Sequence, residues 1–223
     1  MNKKYTFIIM TILLILSFFI SNASGEEKVA AGDQIAEVLE VHGIAKGAAA
    51  RARAVELLAA VRVPEPSRRA RDFPHQLSGG MRQRVLIAAA IACRPALVIA
   101  DEPTTALDAT VQAEILDLLV SMREDFGLSL LLITHDLGIV ARVADYAAVM
   151  YAGRIVESGP ASEVFDRSAH PYSRALAGAF PRIGDPSFRY EPSGLPGDPP
   201  FPGEVGDGCS FAARCPVAPK ITK

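Results

Sequence analysis

Two predominantly apolar runs without a charged residue, 96–100 and 128–133, constrain the fold of this chain more than any other feature. Asp101 and Glu102 follow the first run directly, and His135 follows the second run after one residue. Runs of this kind are typical of strands that are buried on both faces of a parallel sheet. Side chains that bind ligands gather where such strands end. The sequence therefore predicts two carboxylates and an imidazole along one edge of a sheet.

The segment between the two runs predicts a helix. Apolar residues recur there at the spacing of one helical face, at Val111, Ile115, Leu118, Leu119 and Met122. A strand, a helix and a second parallel strand form a βαβ unit, whose connection is right-handed in nearly all known proteins. We therefore expect residues 96–133 to form one such unit.

Another helix is predicted to begin at Ser78-Gly79-Gly80, because apolar residues repeat at helical spacing after Gly80 while Gln83 lies on another face. The start of a helix exposes unpaired backbone N–H groups at the positive end of the helix dipole. Two glycines let a phosphate approach that backbone closely, and Ser78 adds a hydroxyl. This turn is therefore a candidate phosphate site.

The order of these motifs resembles that of the ATP-binding subunits of ABC transporters. The motifs are Leu77-Ser78-Gly79-Gly80 with Gln83, Asp101-Glu102-Pro103, Leu107-Asp108 and His135. The sequence DEPTTALD at residues 101–108 and the tail His170-Pro171-Tyr172 are similar, more narrowly, to the ATPases of oligopeptide and dipeptide importers. The resemblance extends over residues 31–222. It implies an α/β fold, with an incomplete P-loop NTPase-like (ABC ATPase) parallel sheet, a helical subdomain and an irregular C-terminal extension.

The resemblance also implies how nucleotide would be bound. Ser78, Gly79 and Gly80, with Gln83 beside them, would belong to the site of an ATP that the opposite subunit of a head-to-tail dimer holds. Asp108 would couple the two sites across the dimer. Besides the second ATPase subunit, the implied partners are membrane permease subunits and an extracytoplasmic solute-binding protein. The net charge of −2 gives no reason to expect nucleic acid.

The resemblance assigns catalysis to the edge of the sheet. Asp101 would hold Mg²⁺, Glu102 would be the general base on the attacking water, and His135 would contact the γ-phosphate. This division fits phosphoryl transfer, which requires positioning and charge neutralisation more than covalent chemistry from the protein. The activity implied is ATP hydrolysis that drives peptide import.

The chain is expected to contain four regions. Residues 1–25 form a signal peptide or membrane anchor, and residues 26–93 form a helical subdomain with the Ser78 motif. Residues 94–165 form the second half of the ATPase core, and residues 166–223 form an extension of the peptide-importer type. Two amphipathic helices are expected within residues 33–61, and they either contact the permease or serve only packing.

The first region conflicts with the family resemblance. A short basic start is followed by sixteen uncharged residues, 5–20, and then by the small residues Ser21-Asn22-Ala23. This pattern is typical of a cleaved secretory signal; an uncleaved membrane anchor and a buried core helix are the alternatives. Either of the first two would send the rest of the chain out of the cytoplasm. The resemblance instead places the protein at the cytoplasmic face of the cell membrane.

The P-loop of the family is missing from this sequence. Its pattern, G-x-x-x-x-G-K-[ST], needs a Gly followed by Lys, and none of the 17 glycines is followed by Lys. The basic residues up to Lys46 are all Lys, whereas those from Arg51 to Arg214 are all Arg. We therefore interpret the chain as a truncated ABC ATPase behind an unrelated leader, and we expect no ATP hydrolysis by the chain alone. The alternative is a non-catalytic exported or membrane-attached protein that keeps the ATPase scaffold.

The sequence contains three cysteines. Cys93 lies on the helix predicted after Gly80, where a small buried residue is expected. Cys209 and Cys215 resemble the cysteine-bearing tail of peptide-importer ATPases. Two ligands do not complete a four-coordinate iron–sulfur or zinc site, so no cluster is expected. In an exported chain the same pair could form a disulfide.

Overall fold

The computed structural model describes residues 29–179, 195, 197–200 and 208–218. The predicted leader, residues 1–25, lies outside them. The chain divides into two compact units, one that ends at Ile133 and one that begins at Thr134. Of the helices in the described part of the chain, none combines the length and apolar character needed to cross a membrane.

The first unit combines helices with two parallel strands. Its elements are α1 Ala31–Val41, α2 Gly47–Ala60, α3 Pro66–Arg69, a 3₁₀ turn at Pro74–Gln76, α4 Gly79–Ile91, β1 Leu97–Asp101, α5 Ala109–Phe126 and β2 Ser129–Ile133. The second unit contains α6 Leu137–Val143, β3 Tyr146–Tyr151, β4 Arg154–Pro160, α7 Ala161–Asp166, α8 Pro171–Ala179 and a 3₁₀ turn at Ala212–Arg214. The mixture of helices and parallel strands confirms the predicted α/β class.

The two predicted N-terminal helices, α1 and α2, are present and share one core. Ile35 and Leu39 of α1 and Leu58 of α2 are fully buried. A Cβ atom on Gly32 would lie 2.8 Å from both the Cβ atom and the carbonyl oxygen of Ala70. The Gly32 N–H donates to that carbonyl oxygen at 2.8 Å. The missing side chain therefore allows the start of α1 to pack directly on the residue after α3.

The βαβ unit is confirmed. Strands β1 and β2 are parallel, with Asp101 opposite Ile133, and α5 connects them. Four of the five apolar residues predicted for one face of α5 are buried, and the fifth, Val111, is half-buried. The amphipathic pattern therefore identified the core-facing side of this helix correctly.

The prediction that both strands are buried on both faces was wrong for β2. Leu130 and Leu132 pack against the core, whereas Leu131 and Ile133 are 48% and 46% exposed. In β1, only Ala100 is buried, and the other apolar residues are half-buried. Successive side chains of a strand point to opposite faces. Burial on both faces needs a layer on each side of the sheet, and within the described residues of the first unit only one side of β2 is covered.

Arg84 holds α4 to two other helices of the first unit. Its side chain is only 11% exposed. Nη1 donates to the carbonyl oxygen of Val61, at the end of α2, at 2.9 Å, and Nη2 donates to Oε2 of Glu114, in α5, at 3.0 Å. A positive charge at the C-terminal end of a helix is also favourable to the helix dipole. Arg84 thus links α2, α4 and α5.

A β-hairpin is present in the second unit. Strands β3 and β4 are antiparallel, and β4 ends at Pro160. The turn between them has positive φ angles at Ala152 (47°) and Gly153 (76°). Two-residue hairpin turns with positive φ match the twist of antiparallel strands, which explains the tight connection.

Phe211 attaches the last described segment to this unit. Its side chain is fully buried. The Phe211 ring lies 5.2 Å from the ring of Tyr151, 5.5 Å from that of Tyr172 and 5.7 Å from that of His170. These centroid distances lie in the favourable range for aromatic pairs. We call Tyr151, His170, Tyr172 and Phe211 the aromatic cluster.

Glu157 of β4 gives the second unit a pH-dependent contact. Its carboxylate accepts hydrogen bonds from the backbone N–H groups of Ala169 at 2.7 Å and His170 at 3.1 Å, just before α8. Burial tends to raise the pKa of this carboxyl, but the nearby Ser173 side chain, the two N–H groups and the His170 ring together hold the pKa below its ordinary value. A carboxyl of this kind stabilises the fold above its unfolded-state pKa, and the stabilisation is lost as the pH falls through the folded-state pKa.

We therefore expect the second unit to lose stability as the pH falls below about 4.3, the usual pKa of an unfolded Glu. Glu157→Gln should weaken this pH dependence, because Gln carries no titrating charge. Glu163→Gln, at an exposed position in α7, is the matched control. Thermal unfolding at several pH values between about 3 and 7 measures the effect. An identical pH dependence in Glu157→Gln and the unchanged chain would contradict this assignment.

Candidate functional site

The turn that opens α4 has the geometry that the sequence predicts. Ser78 caps the helix, since its Oγ accepts a hydrogen bond from the N–H of Met81 at 3.3 Å. The Ser78 carbonyl accepts from the N–H of Arg82 at 2.9 Å. Ser78 is exposed, and Gly79 and Gly80 are half-buried. An anion at this turn would meet a hydroxyl and the positive end of a 13-residue helix.

The two glycines of this turn also pack against residues that follow β1. A Cβ atom on Gly80 would lie 2.6 Å from Cγ1 of Val111, and a Cβ atom on Gly79 would lie 3.1 Å from Cδ2 of Leu107. Carbon atoms normally approach to about 3.5–4.0 Å, so a side chain at Gly80 would require a rearrangement. The sequence pattern predicted only phosphate approach for the two glycines, and this packing role was not predicted.

Asp101 and Glu102 lie at the carboxyl edge of the sheet, as predicted. Asp101 is the last residue of β1 and is exposed. Glu102 has a φ angle of +45°, in the left-handed region that residues with side chains seldom adopt. Its N–H donates to the carbonyl oxygen of Ile133, at the end of β2, at 2.9 Å. The end of the neighbouring strand therefore helps to hold Glu102 in this conformation.

Thr105 orients the Glu102 carboxylate and was missed by sequence analysis. The Thr105 hydroxyl donates to Oε2 of Glu102 at 2.6 Å, and the Thr105 N–H donates to the Glu102 carbonyl at 3.2 Å. A hydroxyl–carboxylate bond of this length is a strong, charge-assisted one. The sequence pattern that could have predicted this bond is a hydroxyl residue three positions after an acid, in a turn that contains Pro103.

Asp108 caps α5. Its Oδ1 accepts hydrogen bonds from the N–H groups of Thr110 at 3.1 Å and Val111 at 3.0 Å. Asp is among the residues most favoured at this position, because its side chain satisfies N–H groups that have no partner within the helix. The structure therefore gives Asp108 a local role, and its predicted action across a dimer stays a prediction.

A cleft of about 340 Å³ in the first unit brings Gln83 together with the two acids. Its polar lining residues are Gln83, Asp101, Glu102 and Thr105, and its other lining residues are apolar and come from α4, β1, α5 and β2 or from the segments that adjoin them. Three of the predicted site residues therefore share one cleft. Ser78 and Asp108 do not line it; each lies at the start of a helix.

His135 belongs to the second unit and is exposed, two residues after the end of β2. Its predicted position beside Asp101 and Glu102 stays a prediction. Cys209 is exposed, Cys215 is half-buried, and both are free thiols. Cys93 was expected to be buried on the helix after Gly80, but it is half-buried in the turn that follows α4. Partial burial raises the pKa of its thiol.

The chemistry of the acids fits Mg²⁺ of the kind that accompanies a nucleotide. In the part of the chain that the structure describes, no group of three or more His, Cys, Asp or Glu side chains could hold a metal ion. Mg²⁺ normally keeps several waters and is held by one or two carboxylates together with substrate phosphates. The exposed carboxylate of Asp101 fits such a role.

Two parts of the chain match known protein families. Residues 16–105 match the family described as ABC transporter. Residues 156–221 match the family described as oligopeptide/dipeptide transporter, C-terminal region. The first match includes the Ser78 turn and both acids, and the second includes Phe211.

The curated relatives include a protein of Brucella abortus (strain 2308) that is named a peptide import ATP-binding protein. It is 50% identical over 187 residues. A protein of Sinorhizobium fredii (strain NBRC 101917 / NGR234), named a peptide ABC transporter ATP-binding protein, is 50% identical over 189 residues. Each comparison covers 84% of this chain and 56% of the relative. The chain thus spans little more than half the length of the curated relatives that it matches.

A solved structure is also similar. It is the dimeric structure of a post-hydrolysis state of an ATP-binding cassette bound to ADP and Pi. Its sequence is 31% identical, the TM-score is 0.50, and the similarity covers 60% of this chain and 57% of that chain. The motif order, the α/β unit that positions the motifs and these matches agree. The chain is thus similar to ATP-binding subunits of ABC transporters, and its C-terminal part is similar to the oligopeptide/dipeptide transporter C-terminal region.

Proposed function

We propose that the chain acts as part of an ATP-binding and ATP-hydrolysing subunit of an ABC transporter that imports oligopeptides or dipeptides. The observation that carries this proposal is that one compact unit contains a capped, glycine-opened helix start and a pair of acids at the carboxyl edge of a sheet. The names of the curated relatives support the peptide substrate.

Ser78, Gly79 and Gly80 would bind the γ-phosphate of an ATP that a second ATPase subunit holds, with Gln83 beside them. The Ser78 Oγ already accepts the Met81 N–H, and its own O–H can donate to a phosphate oxygen. The positive end of α4 adds to this attraction. Asp108, which fixes the start of α5, would lie at the same subunit interface.

Asp101 and Glu102 would serve the hydrolytic step. Asp101 would hold Mg²⁺, whose charge together with that of the surrounding donors neutralises the transferring phosphoryl group. Glu102 would accept a proton from the attacking water, with its carboxylate oriented by Thr105. His135, which lies in the second compact unit of this chain, would contact the γ-phosphate.

The partners proposed are a second ATPase subunit, the membrane permease subunits and an extracytoplasmic solute-binding protein. The dimer seen in the similar ATP-binding cassette supports the first of these, and the peptide-import names support the second. The proposed location is the cytoplasmic face of the cell membrane. A signal peptide or anchor in residues 1–25 stays part of the proposal, as does the truncated character of the chain.

We expect the chain alone not to hydrolyse ATP, because its sequence has no Gly-Lys pair to form a P-loop around the β- and γ-phosphates. ATP turnover should appear when the full chain is mixed with a peptide-import subunit that has a P-loop but whose own Ser-Gly-Gly turn has been inactivated. In that mixture Ser78→Ala should lower turnover about tenfold or more, since it removes a donor to the transition state.

The measurement is phosphate release from Mg-ATP by the chain, by the second subunit and by the mixture. Ser158→Ala, at an exposed serine of β4, is the control and should leave turnover unchanged. Turnover by the chain alone that Glu102→Gln abolishes would overturn the predicted inactivity. A mixture that shows no turnover at any ratio would overturn the proposed function.

A further inference from the structure

The turn at residues 78–80 and the start of α5 are in direct contact within one chain. Val111 touches the backbone of Gly80, and Leu107 lies beside Gly79. We propose that Val111 is a positioning residue that couples the cap at Asp108 to the turn at residues 78–80, so that a change at either turn alters the other. This inference deepens the proposed function and rests on it for its consequence in ATP binding.

The position of the Val111 backbone is set by Asp108. Oδ1 of Asp108 accepts the N–H of Val111 itself at 3.0 Å and that of Thr110 at 3.1 Å. This carboxylate therefore stabilises the geometry of the first turn of α5.

The position of the Val111 side chain follows from its backbone. Valine in a helix adopts one strongly preferred χ1 rotamer, so its two methyl groups move with the helix and not independently. Cγ1 lies 2.6 Å from the place where a Cβ atom on Gly80 would be. Only a glycine backbone fits there, and a shift of the α5 start would either press on α4 or open a gap.

The other side of the contact is equally constrained. Gly80 is the second residue of α4, and the cap of that helix is the Ser78 hydroxyl. The chain of contacts thus runs from Asp108 through the Val111 N–H and Cγ1 to Gly80, and from there to the first turn of α4. A phosphate of the ATP held by the second subunit, once bound at Ser78, would therefore alter the start of α5 at Asp108.

Hydrogen exchange in the full chain tests the coupling without any nucleotide. Asp108→Ala should accelerate exchange about fivefold at Thr110 and Val111, the expected loss for a helix cap, and also accelerate it measurably at Met81 and Arg82 in α4. Asp136→Ala is the matched control, because Asp136 caps α6 through two N–H bonds of the same kind. It should leave Met81 and Arg82 unchanged. Acceleration confined to α5 in Asp108→Ala would overturn the proposal.

A double-mutant cycle at Gly80 and Val111 tests the contact between these two residues. Gly80→Ala should lower the midpoint of urea unfolding in the unchanged chain, because the new methyl group meets Val111. In the Val111→Ala background the same substitution should be neutral or raise the midpoint, since Ala is a better helix former than Gly. Gly178→Ala in α8, where a Cβ atom would meet nothing within 4 Å, should behave alike in both backgrounds. Equal effects of Gly80→Ala in the two backgrounds would overturn the proposal.

Adding the second subunit and Mg-ATP separates this inference from the proposed function. In one outcome, Asp108→Ala accelerates exchange at Met81 and Arg82, but Mg-ATP with the second subunit leaves exchange at Thr110 unchanged. The proposed nucleotide role of the turn then fails, while the coupling between the two helix starts stands. In the other outcome, Mg-ATP with the second subunit slows exchange at both Met81 and Thr110, and Val111→Ala removes only the effect at Thr110. The proposed nucleotide role and the coupling then both stand.

Discussion

Phe211→Ala is expected to destabilise the second unit by about 3–5 kcal/mol, the usual cost of removing a fully buried aromatic ring. The ring contacts three other members of the aromatic cluster, so its loss would leave a cavity lined by Tyr151, His170 and Tyr172. Thermal unfolding of the full chain, monitored by tyrosine fluorescence, should show a transition at lower temperature. Limited proteolysis should cut after the hairpin earlier than in the unchanged chain.

Two further variants serve as controls for the Phe211→Ala prediction. Met150→Ala removes a large apolar side chain that is 61% exposed on the same hairpin, and it should change stability by less than about 1 kcal/mol. Phe211→Leu keeps most of the apolar volume, and it should cost less than the alanine variant. If Phe211→Ala is no more destabilising than Met150→Ala, the described tail does not contribute to the core of the unit.

Arg84→Met is expected to destabilise the first unit by about 2–3 kcal/mol. Methionine replaces much of the apolar stem but cannot donate to the Val61 carbonyl, and a partly buried acceptor without its donor costs about 1–3 kcal/mol. The ion pair with Glu114 should contribute little, because the Glu114 side chain is 58% exposed. Urea unfolding of the full chain measures the difference.

The two bonds of Arg84 can be separated by mutation. Glu114→Gln should cost less than about 1 kcal/mol, since it removes only the exposed pair. Arg82→Met, at an exposed position in the same helix, should be close to neutral. An effect of Glu114→Gln as large as that of Arg84→Met would show that the ion pair, and not the bond to the end of α2, holds the helices together.

Local signals predicted the elements that form the site. Ser78 is a good helix cap followed by glycine, and the apolar spacing from Val111 to Met122 repeats within one helix, so both depend only on neighbouring residues. The place of Asp101 followed from the end of an apolar run. These features could be read from sequence because each arises within a single turn, helix or strand.

Contacts between distant elements could not be predicted in this way. The approach of Gly80 to Val111 depends on the distance between two helices, which no periodicity encodes. The exposed face of β2 was missed for a related reason: an apolar run looks the same whether one or both faces are covered, and only the neighbouring layers decide. The family match that begins at residue 16 overlaps the predicted leader, whose character stays a prediction.

The hydrogen-bonding direction at Ser78 limits which ligands the turn can select. One lone pair of its oxygen receives the Met81 N–H, and the hydroxyl can turn its proton toward an incoming group. A ligand that offers oxygen lone pairs gains that proton without disturbing the helix start, whereas a cation would be repelled by the positive end of α4. The chemical selectivity of the turn is therefore set by the start of the helix that Ser78 caps.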